Sequence, residues 1–401
     1  MDPQFGISEA EMNEMSLVLQ SRVATDVLTQ VEGMLEQRTS VTLNIAVIGE
    51  SGAGKSAFIN AFRGVADDAP EAAETGVTAT TQMAKGYPHP NARNVLLWDL
   101  PGIGTPSFQP NTYLEDVGLL KYDFFIIVTA DRFQQCHYTL AKYITQAQKK
   151  FYFVRNKVDR DLEANARRRS QKCLSDDDIL MQLRANCEKN LTIGQVETPR
   201  VFLLSSFYPQ SYDFPALQMT LLEELEGHKQ HALLLSLPNL STSVIQSKRK
   251  ALAGTVWQTA MATCLSSVGV GSTMHAVVPK LMDTLKSYQQ AFCLDDVSLQ
   301  RLASITGISF EDLQREVTST FGRQLSAQEV EGCLSQAVSA KQFLVTQLER
   351  SVPILGTVVF GGIITFAASY ILLTTALKNL SEDGERVMQK VLLVSVCKQN
   401  S

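Results

Sequence analysis

The run Gly49-Glu50-Ser51-Gly52-Ala53-Gly54-Lys55-Ser56 constrains this chain more than any other stretch. It reads G-x-x-x-x-G-K-S, a loop that wraps phosphates. Leu43 to Ile48 before it is short, apolar and β-branched, as a buried parallel strand should be, and Ala57 to Arg63 after it is helix-compatible and stops at Gly64. Strand, loop and helix thus come in the order that lets backbone N–H groups and a helix N-terminus converge on an anion. The residues expected on the nucleotide are Gly49, Ser51, Gly52, Ala53, Gly54, Lys55, Ser56 and Ala57. Lys55 would reach the β- and γ-phosphates as a catalytic cation, and the Ser56 hydroxyl would ligate Mg²⁺.

Further motifs follow at the spacing such a loop requires. Asp99-Leu100-Pro101-Gly102 closes an apolar strand and has the form D-x-x-G, which places Asp99 near Mg²⁺ and the Gly102 N–H near the γ-phosphate. Asn156-Lys157-Val158-Asp159 closes another strand. The Asp159 carboxylate is suited to accept from guanine N1–H and its exocyclic amine, which adenine does not present, so GTP and GDP are the expected ligands. Ser205-Ser206, after a strand at 200–204, stands where a further base-contacting loop belongs. The threonine-rich run 75–81 lies where a switch loop belongs; Thr81, ahead of Thr80, is the expected third metal ligand and a catalytic candidate. Ile103 occupies the place after D-x-x-G where Ras-like proteins carry a water-orienting glutamine, so an isolated protomer should turn over slowly. Glu50 puts a carboxylate beside bound phosphates, a costly placement unless it serves a second partner; the alternative is a solvated loop side chain.

Other features are assigned structural roles. Arg167-Arg168-Arg169 reads as a solvated helix face, Asp176-Asp177-Asp178 as a helix cap, and His137, with no partner at catalytic spacing, is unassigned. Strand candidates at 43–48, 94–98, 124–129, 151–155 and 200–204, with an edge strand near 81–87, alternate with helices; from about 228 only helical patterns remain. The expected division is 1–40, one or two amphipathic helices; 41–227, the nucleotide domain; and 228–401, helical. Ala251–Pro279 and Ser351–Leu377 hold no charged residue, and the second is expected to touch a membrane peripherally, with a buried hairpin as the alternative. A net charge of −5 gives no basic field for nucleic acid, and seven scattered cysteines suit a reducing, cytoplasmic setting.

The loop followed by Ala-Phe-Ile-Asn-Ala-Phe-Arg-Gly resembles the immunity-related GTPases, the interferon-inducible p47 group. Asp99 to Thr105, Tyr212-Asp213-Phe214-Pro215, Leu237-Pro238-Asn239 and Ser298 to Ala303 fit the same family, so the resemblance spans nearly the whole chain. It implies a Ras-like α/β P-loop GTPase domain carried on a mostly helical domain built from both chain ends. It also implies GTP-dependent assembly with itself through the nucleotide face, related GTPases as further partners, and defence against pathogens at intracellular or vacuole membranes. Lys55 matches the Gly-Lys-Ser effector type, and Glu50 falls where the family has a glutamate implicated in dimer-activated hydrolysis. Two departures stand out. Ala79 replaces an acidic switch-loop residue of some relatives, and Asp2 stands where several members carry a lipid-anchored glycine next to the initiator, so that anchor is not expected on a chain that starts at this Met1. The alternative to a GTPase activated by self-assembly is a GTP-switched regulator or scaffold with negligible turnover.

Overall fold

A computed structural model describes residues 7–21, 23–76, 83–103, 113, 115–131, 133–167, 174–193, 200–239, 241–266, 277–323, 325–340, 342–351 and 363–399. The chain divides into two units, one of residues 1–40 with 241–401 and one of residues 41–240. Helices α1 (Glu9–Val18) and α2 (Ala24–Ser40) open it. Helix α1 starts where it does because Ser8 and Glu11 satisfy each other's backbone N–H groups.

The second unit is a sheet covered by helices. Its elements in order are β1 (Leu43–Ile48), α3 (Lys55–Arg63), β2 (Lys85–His89), β3 (Ala92–Asp99), β4 (Phe124–Thr129), α4 (Gln135–Gln146), β5 (Lys150–Arg155), α5 (Val158–Ala166), α6 (Asp176–Ile193), β6 (Val201–Leu203), α7 (Phe214–Glu224) and α8 (Gly227–Ser236). The six strands lie in the order β2-β3-β1-β4-β5-β6. All neighbours are parallel except β2, an antiparallel edge that tolerates Pro88 because an edge strand has spare N–H positions. Strand β4 is buried at every residue, as a central strand covered on both faces must be. Phosphate loop, D-x-x-G turn and Asn-Lys-x-Asp turn leave the C-terminal ends of β1, β3 and β5, which gathers the three motifs on one edge of the sheet.

The boundary expected at 227/228 falls instead at 240/241. Helix α8 packs on β3 and β1, and Lys229 pairs with Asp123, whose other oxygen accepts the Asn44 N–H at 2.8 Å. The Tyr-Asp-Phe-Pro run has a structural part here. Asp213 Oδ2 accepts the Leu203 N–H at 2.7 Å and pairs with Arg184, while Phe214 is packed against Phe58 and Phe62 of α3.

The helical unit continues with α9 (Thr242–Ala253), α10 (Val256–Ser266), α11 (Val278–Ala291), α12 (Asp296–Thr306), α13 (Phe310–Glu316), α14 (Ala327–Ala340), α15 (Gln342–Ser351) and α16 (Ile363–Gln399). Helix α10 lies against α2 and α16, which explains the charge-free stretch around it: Trp257, Ala260, Met261 and Thr263 have no solvent exposure. Polar ties anchor the N-terminal segment, among them Trp257 Nε1–H to Glu14 at 3.3 Å and Lys280 to Glu32 at 2.9 Å.

Helix α16 is long and apolar enough to cross a membrane by length and composition alone, yet 61% of its most apolar window is buried inside the protein. Phe366, Ala367, Ala368, Leu373 and Ala376 are fully enclosed, so from Phe366 onward the expected membrane stretch is core; residues 352–362 lie outside the described residues. Arg167 caps the C-terminus of α5, solvated as read from sequence and paired with Glu163 at 3.3 Å, whereas Arg168 and Arg169 lie outside the described residues. Asp178 closes a cap with Ser175. Among the described residues, Cys136, Cys187, Cys264, Cys293 and Cys333 form no disulfide.

Candidate functional site

The phosphate loop is shaped by what it cannot accommodate. A Cβ at Gly49 would come 2.0 Å from the Val128 carbonyl oxygen, so the chain leaves β1 past β4 only without a side chain. Gly54 caps α3 at φ 88°, in the left-handed region that favours glycine. The loop therefore turns sharply enough to aim the first N–H groups of α3, from Lys55, Ser56 and Ala57, out of the strand ends. Lys55 lies across the loop and donates to the carbonyls of Gly49 at 3.2 Å and Glu50 at 3.3 Å. Burial pushes its ammonium below the usual lysine range, and the charges of Asp99 and Glu50 oppose that shift.

Ser56 Oγ donates to Asp99 Oδ2 at 2.9 Å, bringing a hydroxyl and a carboxylate oxygen together at the start of α3. Both are hard oxygen donors of the kind Mg²⁺ takes. The D-x-x-G turn is laced to the phosphate loop: Leu100 N–H donates to Val47 O, Ile103 N–H donates to Gly49 O, and Ile103 bridges Glu50 in parallel fashion. Gly102 lies close enough that a Cβ would come 3.3 Å from the Ser51 nitrogen. The Ile103 side chain is 1% exposed and packs into the core, turned away from the site.

Glu50 requires a correction. Its carboxylate neither faces solvent nor stands at the mouth of the loop; it turns inward beneath it and is 8% exposed. Oε1 accepts the Thr129 hydroxyl at 2.7 Å, and Oε2 lies 2.5 Å from His137 Nε2. His137 Nδ1 accepts the Gln134 N–H at 3.1 Å, which leaves the proton on Nε2 to be donated to Glu50. The ring meets Phe133 and Phe153 edge-on at centroid distances of 5.4 and 5.8 Å, and those two rings touch each other at 5.5 Å, so the three form one aromatic cluster. Burial alone would raise the Glu50 carboxyl, but the His137 and Thr129 contacts outweigh it and hold the group below its ordinary value. In this arrangement Glu50 cannot present its carboxylate to a docking partner or to reacting atoms. The sequence leaves His137 unassigned because its partner stands 87 residues upstream; the available signal was Glu50 itself, a buried charge that had to be matched.

The base-recognition motif is tied to the phosphate loop by its own side chains. Asn156 Nδ2 donates to Ala53 O at 3.2 Å and its Oδ1 accepts both N–H and hydroxyl of Ser206 at 3.2 and 3.1 Å. Lys157 reaches over the loop to Gly52 O at 2.6 Å. Ser205 is fully buried and its hydroxyl accepts the Phe207 N–H, so it fixes the turn from within. Asp159 Oδ1 is buried and accepts no hydrogen bond among the described residues, the condition expected of a carboxylate kept for a guanine edge. Gly49 to Ala57, Asp99, Gly102, Asn156, Lys157, Asp159, Ser205 and Ser206 are thus gathered at one sheet edge. Thr81, Thr80 and Ala79 lie outside the described residues.

Residues 8–368 match the family profile described as Interferon-inducible GTPase (IIGP). Interferon-inducible GTPase 5 of Rattus norvegicus is 36% identical over 390 residues, covering 96% of this chain and 83% of that protein. Interferon-gamma-inducible GTPase 10 of Mus musculus is 35% identical over 385 residues, 96% of this chain and 90% of that protein. Toc33 from Arabidopsis thaliana, solved with Mg²⁺ and GMPPNP, overlaps 49% of this chain and 81% of its own at 14% identity and a TM-score of 0.30, too distant to bear on function. With a profile matched over most of its length and relatives above 30% identity on nearly all of it, the chain belongs to the interferon-inducible GTPase family.

Proposed function

We propose that this GTPase binds GTP with Mg²⁺ at the edge built by residues 49–57, 99–102 and 156–159, and that docking of a second protomer over the nucleotide face activates hydrolysis. The observation that carries the nucleotide reading is the convergence of three motifs, each tied to the next by its own hydrogen bonds. In this reading the loop amides and Lys55 hold the phosphates, Lys55 exchanging two carbonyl acceptors for phosphate oxygens. Ser56 and Asp99, with Thr81, supply oxygens for Mg²⁺, which when bound offsets phosphate charge. Asp159 fixes the base, and the Gly102 N–H donates toward the γ-phosphate.

Ile103, at the position after D-x-x-G, is buried in the core and supplies no group to orient water. A lone protomer should therefore turn over on the order of 10⁻⁴ to 10⁻² per second. A group supplied by a partner adds positioning and charge stabilisation. The test is GTP turnover per protomer across a protein dilution series: a rise with concentration supports activation by assembly, and a flat basal rate refutes it. The flat outcome would favour the second reading, a GTP-switched regulator with negligible turnover, for which the burial of Ile103 is the specific observation. We further propose action in interferon-induced defence at intracellular membranes from the cytoplasmic side. Sedimentation with liposomes, with and without GTP, tests that part, and protein left in the supernatant under both conditions speaks against it.

A further inference from the structure

We propose that His137 and Thr129 are positioning residues of the phosphate loop, acting through Glu50, whose two carboxylate oxygens they hold beneath it. The proposal rests on the reading of this loop as the nucleotide site and names what keeps it in shape.

Three observations carry it. First, both oxygens of a nearly buried carboxylate are taken, one by the hydroxyl that ends β4 and one by a ring in the first turn of α4. Second, residue 50 is a hub of the loop backbone: its carbonyl accepts the Ala53 N–H at 3.2 Å and the Lys55 ammonium at 3.3 Å, and the residue bridges Ile103. The direction of that side chain therefore sets the turn from which the loop amides project. Third, His137 is fully buried and held on its own account, because its second nitrogen accepts the Gln134 N–H and its ring packs in a cluster with Phe133 and Phe153. A small apolar residue at position 50 would pack beneath the loop at far lower desolvation cost, so a matched charge there calls for a reason.

Lys55 supplies one. When it leaves the Gly49 and Glu50 carbonyls for a phosphate, the loop loses two of its internal bonds. The brace beneath it stays closed during that exchange. The loop is then preorganised rather than ordered anew by each nucleotide.

Dissociation of N-methylanthraniloyl-GDP from the full-length protein, chased with unlabelled GDP, tests this. His137→Leu should speed release about tenfold, the effect of one buried hydrogen bond to a charged group. His137→Gln, whose amide still donates toward Glu50, should recover most of the loss. In a Glu50→Ala background His137→Leu should add less than about twofold, because the residue it acts through is gone. A purely structural histidine would lower the melting temperature without moving the release rate, and its effect would survive Glu50→Ala. Release from folded His137→Leu within twofold of wild type, or an undiminished effect in the Glu50→Ala background, overturns the proposal. Should His137→Leu fail to fold, the near-isosteric Thr129→Val reads the same brace through the other oxygen, and unchanged release there overturns it as well. If the wild-type protein binds no labelled GDP, the nucleotide reading itself fails, an outcome distinct from binding that the variants leave untouched.

Discussion

Lys55, Asp99 and Asn156 in the sheet unit are buried to a similar degree as Lys248, Gln289 and Asp383 in the helical unit, yet the two sets are used differently. The first set stands at the ends of parallel strands and faces outward along the sheet edge, linked through short bonds to the phosphate loop. The second closes turns. Lys248 donates to Ala291 O at 2.6 Å, Gln289 to Phe321 O and Arg323 O at 2.7 and 2.9 Å, and Asp383 accepts the N–H groups of Thr318 and Ser319 at 3.0 and 3.3 Å. Burial of a polar group is therefore no sign of chemistry by itself. What separates the sets is whether the partners are other motifs at an open edge or the backbone of an adjoining turn. Binding and stability should accordingly respond to different substitutions.

Lys55→Ala should produce the largest effect, a loss of GTP turnover of about a thousandfold or more, with a melting temperature close to wild type. Unchanged turnover would dissolve the distinction between the units. Asp159→Asn should lower guanine nucleotide affinity by about a hundredfold and shift preference toward xanthine nucleotides, measured by competition. Retained GTP affinity would remove the assignment made from its buried Oδ1. Asp383→Ala, on the other side of the comparison, should cost about 3 kcal/mol of stability by denaturant titration, because it orphans two backbone N–H groups and takes the carboxylate partner from Arg386, while nucleotide release stays as in wild type.

The smallest effect concerns pH. The Glu50 carboxyl is held below its ordinary value of 4.5, so its ionised form stabilises the fold above that value, and the contribution is lost as pH falls through the folded value. The difference in melting temperature between wild type and Glu50→Gln should thus be greatest near neutrality and shrink in acid. A difference that stays constant down to pH 3 would mean that the charge of Glu50 contributes nothing.

The nucleotide edge was legible in the sequence because its determinants are local. The glycines, Lys55, Ser56, Asp99 and Asp159 sit at fixed short offsets from strands whose apolar runs identify them. The brace was not legible, because Glu50 meets Thr129 and His137 across 79 and 87 residues and only the adjacency of β1 and β4 brings them together. The same limit misplaced the domain boundary. Helix α8 reads like the helices after it, and its attachment to β1 and β3 is a long-range fact. The charge-free stretch ending at Leu377 was ambiguous for a different reason: an enclosed core helix and a lipid-facing one share a composition, and only packing separates them.

The helical unit is built from both ends of the chain, with α2 lying against α10. Helices α1 and α2 leave the ribosome before the roughly 200 residues of the sheet unit, and so before α10 exists. At about 5–20 residues per second this interval lasts about 10–40 seconds. Throughout it Met15, Leu19, Val27 and Val31, fully enclosed in the finished protein, lack the later helices of their unit, α10 among them, and have only α1 and α2 to cover them. The sheet unit has its whole sequence in hand and is free to form ahead of its neighbour. The α1–α2 segment then stays open to chaperones and to mispairing with other copies until α10 arrives, so that it is made before the sheet unit and assembled after it.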